Sequence, residues 1–570
     1  MSKERTVAVL LAEALVRHGV EIMFSQSLPS ALLLAAEDLG IRQYSYRTEN
    51  AGAAMADGYA RVSRKIGVVT AQNGPAATLL VPGLAEALKA SIPVVALVQD
   101  VNRNQADRNA FQELDHVSLF ASCTKWLRKA TEANRVIDYL DMAITVATSG
   151  RPGPTALMLP ADLLIETVKH TPRRSLSLGH FPLDRQQADP ARIAEAANLL
   201  ANAKRPLVVA GGGVHISGAY EELRALQDKV GLPITTTVMG KGAVDESHPL
   251  SLGVGGYALG KLAPMRHMRG LFADADVVLL IGTRTNQNGT DSWTLYPEGA
   301  RYIHIDIDSA EVGRNYEAVR LVGDAKLTLA ALIEALGSRR RADASLPKAI
   351  AAAREQHGQD LAPIVDSSDG PIRPERLMQE LKQAMTPDTI VATDASYSTL
   401  WAACYLPSLS HGSRFITPRG LAGLGWGMPL AIGAKLARPA SPVICLVGDG
   451  GFGHCWQELE TVHRTNTPLV LIVLNNGVLG YQKDAEDVKF GRYTRACHFD
   501  PVDHALIARA CGCDGVRVER VEDFLPAVQR ALASSRTTLI EVMTDPAAYP
   551  PVTFFDALDD IRAGKSSHRV

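Results

Sequence analysis

The sequence has no surplus of positive charge. Its 59 Lys and Arg stand against 61 Asp and Glu, a net of −2 over 570 residues. No basic surface is therefore available to neutralise a nucleic-acid backbone, and there is no acidic tail. Cysteine is scarce: seven residues, with no CxxC pair and only Cys511 and Cys513 close together. That excludes a disulfide scaffold and makes Cys-Gly-Cys a pair of reduced core thiols rather than a metal site. Long apolar runs are missing too; the longest, such as residues 469–474, fall far short of the roughly 20 needed to span a bilayer. Residues 1–19 interleave Val9, Leu10, Ala12, Ala14 and Leu15 with Glu4, Arg5, Glu13 and Arg17, which reads as an amphipathic helix and not a secretory signal. No short internal repeat is visible. The expected setting is a reducing cytoplasm, with neither nucleic acid nor membrane as partner.

Against these absences, 46% hydrophobic and 21% charged residues fit a chain that buries large cores, and its length corresponds to three or four domains. Three stretches show the strand–turn–helix rhythm of parallel sheets. The first, residues 1–170, carries β-branched runs at 66–70 and 93–98, followed by a polar, proline-bearing linker at 171–190. The second, 191–340, has strands at 206–210, 277–281 and 302–307, a helix at 220–230, and Gly211, Gly212 and Gly213 directly after its first strand. A charged, alanine-rich stretch at 339–359 reads as a connector helix whose period is lost before 373. The third, 371–550, has strands at 389–392, 442–447, 468–474 and 538–542, and residues 551–570 read as a non-periodic tail. The expected fold class is α/β, with three doubly wound parallel-sheet domains.

The strongest chemical signal is Gly448-Asp449-Gly450 directly after one apolar strand, with Asn475-Asn476 directly after the next, 24 residues intervening. Two strand ends in one parallel sheet put both groups at its carboxyl edge, where ligands bind in open α/β folds. The glycines let the backbone approach a phosphate, and Asp449 and Asn476 offer hard oxygens to Mg²⁺, which takes one or two carboxylates plus substrate phosphates.

This pattern resembles the signature of thiamin-diphosphate enzymes, and residues 5–550 resemble the acetolactate synthase and pyruvate oxidase group. The resemblance implies a pyrimidine-binding first domain, a Rossmann-like central domain and a diphosphate-binding third domain. It implies that Asp449, Asn476 and the Val478 carbonyl ligate Mg²⁺. Gly448, Gly450, Gly451, Leu479 and Gly480 would surround the diphosphate, with Ser396, in Asp394-Ala395-Ser396-Tyr397, closing from the other side. In the stretch from Arg47 to Arg61, Glu49 matches the glutamate that hydrogen-bonds N1′ of the aminopyrimidine, a role that needs a carboxylate. The alternative for Glu49 is a helix-start residue paired with Arg47 or Arg61. In the glycine-rich segment 420–429, Ala422 would offer a carbonyl to the cofactor's amino group and Leu424 would wedge it into a bent shape. Phe111-Gln112-Glu113 with Thr124-Lys125 resembles the stretch that places Gln112 over the thiazolium. The central Gly211-Gly212-Gly213, Met239-Gly240-Lys241-Gly242, Gly282-Thr283-Arg284 and His304-Ile305-Asp306 resemble a domain that holds FAD in acetolactate synthases and ADP in other relatives. A homodimer or homotetramer follows, because relatives build each site from two subunits.

Some segments depart from that group. Residues 25–29 read Ser-Gln-Ser-Leu-Pro and 70–76 read Thr-Ala-Gln-Asn-Gly-Pro-Ala, where relatives carry glycine–proline–glycine turns. Ala485 stands where synthases have a tryptophan that selects the acceptor, and Gln482 and Lys483 replace apolar residues. Since one methylene shifts specificity by about 1–3 kcal/mol, these changes are expected to make a more polar or roomier cleft. The implied activity is C–C bond cleavage beside a carbonyl, decarboxylating a 2-oxo acid with ligation to an acceptor as a further outcome. The alternative is a 2-hydroxyacyl-CoA lyase or oxalyl-CoA decarboxylase type with the basic residues 565–569 over the CoA. From another class come a nucleotide-binding oxidoreductase and a non-catalytic protein, neither of which would need Glu49 together with the Gly-Asp-Gly and Asn-Asn pair.

Overall fold

The computed structural model describes residues 4–169, 174–339, 343–367 and 371–564. Part of the expected 171–190 linker and the basic residues 565–569 lie outside them. The chain forms three six-stranded sheets, every strand parallel to its neighbours. In the first sheet the spatial order is Arg42–Ser45, Ile22–Ser25, Gly67–Ala71, Val94–Asp100, Thr155–Pro160 and Trp126–Lys129. In the third it is Arg414–Ile416, Ile390–Thr393, Val443–Gly448, Val470–Asn475, Thr538–Met543 and Asp514–Val518. Numbered along the chain, both read 2-1-3-4-6-5. The outer domains thus share a topology that the sequence does not display as a repeat. The central sheet, Ser251–Val254, Ile234–Thr236, Pro206–Ala210, Val277–Ile281, Arg301–Asp306 and Ala318–Val322, reads 3-2-1-4-5-6, the dinucleotide-binding order. Strands such as Val470–Asn475 and Val277–Ile281 are buried throughout, because helices cover both faces of a parallel sheet.

The outer domains meet through two helices made of small residues. Glu49–Ser63 (ENAGAAMADGYARVS) lies against Gly427–Ala437 (GMPLAIGAKLA). A methyl group at Gly58 would overlap the Leu430 carbonyl oxygen, and one at Gly433 would overlap that of Met55. One continuous core therefore includes both helices. Thr48 caps the first, its Oγ1 accepting from the Ala51 amide at 3.4 Å, as a threonine at that position should.

Two expectations are corrected. The connector helix runs Leu346–Val365, beyond the point where sequence periodicity fades, because it buries only Ile350, Ala353 and Leu361 and needs no continuous apolar stripe. Residues 551–564 are not a tail. They form the turn Thr553–Phe555 and the helix Leu558–Arg562, with Val552, Phe555, Leu558 and Ile561 buried. Phe555 sits edge-on to Tyr397, Tyr481 and Tyr549; a five-residue helix is too short to show a period in sequence. No helix among the described residues is long and apolar enough to cross a membrane, and all seven cysteines are free thiols.

Candidate active site

In the third sheet the connections diverge between strands Ile390–Thr393 and Val443–Gly448, which pair directly. Loops leaving two such carboxyl ends enclose a crevice, and here they do. A cleft of about 560 Å³ is lined by Ser396, Leu424, Gly448, Asp449, Gly450, Gly451, Asn476, Val478, Leu479 and Gly480, ten of the residues singled out from sequence. Asp449 begins the turn Asp449–Phe452 and accepts from the Gly477 amide at 2.8 Å. Burial pushes its carboxyl up to about 6, and it has no salt bridge among the described residues. A desolvated carboxylate without a cationic partner, lining this cleft, suits a metal ion. Asn476 Oδ1 lies close by in the chain, accepting from the Val478 amide at 3.2 Å. No three His, Cys, Asp or Glu side chains converge among the described residues, so an ion here would be held by one carboxylate with amide and carbonyl oxygens. That donor set fits Mg²⁺. A Cβ on Gly451 would overlap the buried Asp394 carboxylate, and one on Gly450 would press on the side-chain tips of Phe499 and Leu479.

Asp394 ties the walls together. It is 1% exposed and accepts from three consecutive amides, Gly425 at 2.9 Å, Trp426 at 3.0 Å and Gly427 at 3.3 Å. This fixes the segment carrying Ala422 and Leu424 at the start of the helix Gly427–Ala437, where negative charge is favoured. Its sequence position suggested only a loop over the diphosphate. Ser396 (φ 69°), Ala422 (φ 62°) and Gln112 (φ 60°) all hold left-handed backbone conformations. Such strain costs non-glycine residues about 1–3 kcal/mol and collects at functional sites.

Other residues lie elsewhere. Glu49 does not line this cleft. It starts its helix almost fully buried, which raises its carboxyl pKa. The alternative of an ion pair with Arg47 or Arg61 is not what forms: Arg47 reaches Glu460, and Arg61 reaches Asp57 and Glu86. Ala422 is exposed. Gln112 lines a separate cavity of about 1160 Å³ with Asp100, His116 and Lys129, and its Oε1 accepts from Gln72 Nε2 at 2.5 Å. Phe111 is 84% exposed. Lys125 instead donates to the carbonyls of Val146 and Ser149, anchoring a helix end. Gln482 and Lys483 do not make the cleft polar: their side chains are spent on Glu486 and on the Pro546 carbonyl.

The central sheet bounds a larger cleft of about 1210 Å³, lined by Gly212, Gly213, Gly282, Thr283, Arg284 and Asp306 among others. A Cβ on Gly213 would lie 2.7 Å from Gly282 Cα, so the two switch-point turns touch. Burial pushes Asp306 up to about 6 and lowers Arg284. Lys241 is instead neutralised by Glu246 at 2.7 Å.

Three sheets in this order, with a glycine-cradled carboxylate at the edge of the last, define a multidomain α/β cofactor-binding architecture. Three descriptions of one family match in sequence: thiamine pyrophosphate enzyme, N-terminal TPP binding domain, over residues 5–119; central domain, over 193–332; and C-terminal TPP binding domain, over 394–542. The chain is 34% identical over 562 residues to a probable acetolactate synthase large subunit of Methanococcus aeolicus, covering 95% of this chain and 92% of the relative. It is 31% identical to the acetolactate synthase of Arthrospira platensis, covering 96% of each. It is likewise 31% identical to the acetolactate synthase isozyme 2 large subunit of Escherichia coli K12, covering 94% and 95%. The chain belongs to the thiamine pyrophosphate enzyme family.

Proposed function

We propose that this protein uses thiamin diphosphate and Mg²⁺ to decarboxylate a 2-oxo acid and pass the remaining acyl unit to a proton or to a second carbonyl, as an acetolactate-synthase-like enzyme. The observation that carries this is the convergence of ten motif residues on one cleft at the third sheet's carboxyl edge. Asp449, Asn476 and the Val478 carbonyl hold the metal. Gly448, Gly450, Gly451, Leu479, Gly480 and Ser396 surround the diphosphate, Leu424 shapes the cofactor, and the Ala422 carbonyl faces its amino group. Bound thiamin diphosphate supplies an acidic carbon that adds to the substrate carbonyl and an electron sink for the departing carboxylate. Glu49 holds and moves the proton at the aminopyrimidine, a task for which a carboxyl raised by burial is suited. Gln112 borders the substrate. Because Glu49 and Asp449 do not share a cleft within one chain, the reading has Glu49 reach the cofactor of a second copy, in a homodimer or a pair of dimers. The central cleft takes FAD or ADP, supported by its strand order and touching glycine turns, and a reducing cytoplasm suits the free thiols.

A screen of 2-oxo acids and acyl-CoAs with thiamin diphosphate and Mg²⁺, followed by mass spectrometry, tests the reaction. CO₂ release from a 2-oxo acid is expected; turnover confined to acyl-CoAs would overturn it. Glu49→Gln should nearly abolish turnover with the fold intact, and Asp449→Ala should weaken cofactor retention in calorimetry. Mixed in equal amounts, these two inactive variants should regain about a quarter of wild-type activity, since half the dimers then carry one intact site. No recovery on mixing, with subunit exchange demonstrated, would refute the shared site. The absorption spectrum of the purified protein decides between flavin and ADP.

A further inference from the structure

Each outer domain grips the other's functional turn with a buried carboxylate. Glu458, fully buried at the start of Glu458–Arg464, belongs to the third domain. Its Oε1 accepts from the Arg47 and Thr48 amides at 3.1 and 3.2 Å, the two residues directly before Glu49; its Oε2 accepts from Arg47 at 3.3 Å and from Thr461 Oγ1 at 2.7 Å. Glu86, 1% exposed on the helix Pro75–Ala90, belongs to the first domain. Its Oε1 accepts from the Gly420 amide at 2.7 Å and its Oε2 from the Leu421 amide at 2.6 Å, the two residues directly before Ala422. A Cβ on Gly420 would lie 2.5 Å from the Glu86 carbonyl oxygen, so this contact also dictates the glycine. Arg61, on the helix that Glu49 begins, stands 3.8 Å from Glu86 and donates to the Thr417 carbonyl at 2.9 Å.

The two grips are counterparts. Both acids sit on the helical segment that follows the third strand of a 2-1-3-4-6-5 sheet, and both hold the turn that follows the second strand of the other sheet. Four amides are thereby fixed, each pair immediately upstream of a residue assigned to the cofactor. Burying a carboxylate is costly unless its oxygens are well satisfied, and here the oxygens are spent on turn amides of the opposite domain.

We propose that Glu458 and Glu86 are positioning residues, Glu458 setting the Glu49 carboxylate and Glu86 setting the Ala422–Leu424 wall, an inference that rests on the cofactor roles proposed above. One chain then joins the proton-handling residue of one site to the pyrimidine wall of another. The acids differ in how they bond. At Glu458 Oε1 accepts from both amides, so glutamine can keep those two bonds and gives up only the longer second contact of the Arg47 amide to Oε2 at 3.3 Å. At Glu86 each amide takes its own oxygen, so glutamine must set an NH₂ against an N–H.

Full-length Glu458→Gln, Glu458→Ala, Glu86→Gln, Glu86→Ala and Glu49→Gln are compared, with thiamin diphosphate and Mg²⁺ as the probe. Calorimetry gives cofactor affinity, and NMR gives the rate at which the bound cofactor's thiazolium C–H exchanges with deuterium. Glu458→Ala should slow exchange about 10²-fold, the scale of a 1 Å misplacement, while leaving affinity within about 3-fold. Glu458→Gln should keep exchange within about 3-fold of wild type. Glu86→Gln and Glu86→Ala should both weaken cofactor affinity about 10-fold. Wild-type exchange in folded Glu458→Ala, exchange slowed as much by Glu458→Gln as by Glu458→Ala, or wild-type affinity in Glu86→Gln would each overturn the inference. Should the alanine variants fail to fold, the contrast between the two glutamine variants decides it. Wild-type exchange in Glu49→Gln would instead sink the role proposed for Glu49; slow exchange there beside fast exchange in Glu458→Ala would sink only the positioning.

Discussion

Asp394→Ala is the most exposed test of how the cleft is built. The side chain holds the amides of Gly425, Trp426 and Gly427, which open the helix Gly427–Ala437 and follow directly on Leu424. None of the three has an intrahelical acceptor, because the first amides of any helix lack one. Orphaning a buried donor costs about 1–3 kcal/mol. Three such losses, offset by relief of a carboxylate whose burial raises its pKa, put the expected destabilisation at the low end, about 3 kcal/mol. Asp394→Asn separates the contributions. Oδ1 serves Trp426 and Gly427 while Oδ2 serves Gly425, so asparagine keeps two bonds and loses one, for about 1–2 kcal/mol. Urea unfolding followed by tryptophan fluorescence reads the shift, Trp426 lying on the affected segment. Calorimetry with thiamin diphosphate and Mg²⁺ should show weaker binding in the order wild type, Asn, Ala, as Leu424 loses its support. Wild-type midpoints and affinities in Asp394→Ala would refute the reasoning outright.

Asp306 carries a pKa raised to about 6 by burial from a usual value near 3.8. The folded protein therefore binds a proton that the unfolded chain does not between those values. This stability is fully present below 3.8 and lost as pH rises through 6, by at most about 3 kcal/mol; Asp306→Asn should be more stable than wild type at pH 8 and equal to it near pH 4 in thermal melts, and a constant difference would contradict this. Gly433→Ala forces a methyl into the Met55 carbonyl; overpacking of about 1–3 kcal/mol should lower the melting temperature, and an unchanged melting temperature would show that the two helices can part to admit it. Arg562 bonds to the buried Asp484, whose other oxygen accepts from Tyr397 at 2.6 Å. Arg562→Ala should destabilise by about 1–3 kcal/mol in urea titrations, and an unchanged midpoint would return residues 551–564 to the status of a dispensable tail.

The sequence made some of this legible because the signal was local. A strand of apolar residues, a glycine-flanked aspartate and a second strand ending in asparagines sit within about thirty consecutive residues, and parallel pairing brings such ends together without information from elsewhere. Glu86, Glu458 and Asp394 were opaque as holders of turns for the opposite reason. Each works on amides 31 to 411 positions away, and nothing near them in sequence marks a carboxylate that binds backbone rather than water or a cation. Lys483 and Gln482 misled because identity at an aligned position says what side chain is present, not where it points; one turn of helix sends Lys483 to the Pro546 carbonyl.

The shared 2-1-3-4-6-5 order of the outer sheets explains why the hidden residues come in a matching pair. If two equivalent domains pack about a pseudo-twofold axis, any contact one makes with the other has a counterpart running the other way, and the small-residue helices Glu49–Ser63 and Gly427–Ala437, one from each domain, pack on each other. Glu458 on the turn before Glu49, and Glu86 on the turn before Ala422, are then one contact made twice. No repeat is visible between the two halves of the sequence, yet both sheets carry a buried glutamate on the helical segment after the third strand. What survives is the part that geometry constrains: an acceptor able to take two adjacent amides at a domain boundary closed to water. An apolar residue could fill the same volume, but it would leave those four amides without their acceptors, at about 1–3 kcal/mol for each buried donor.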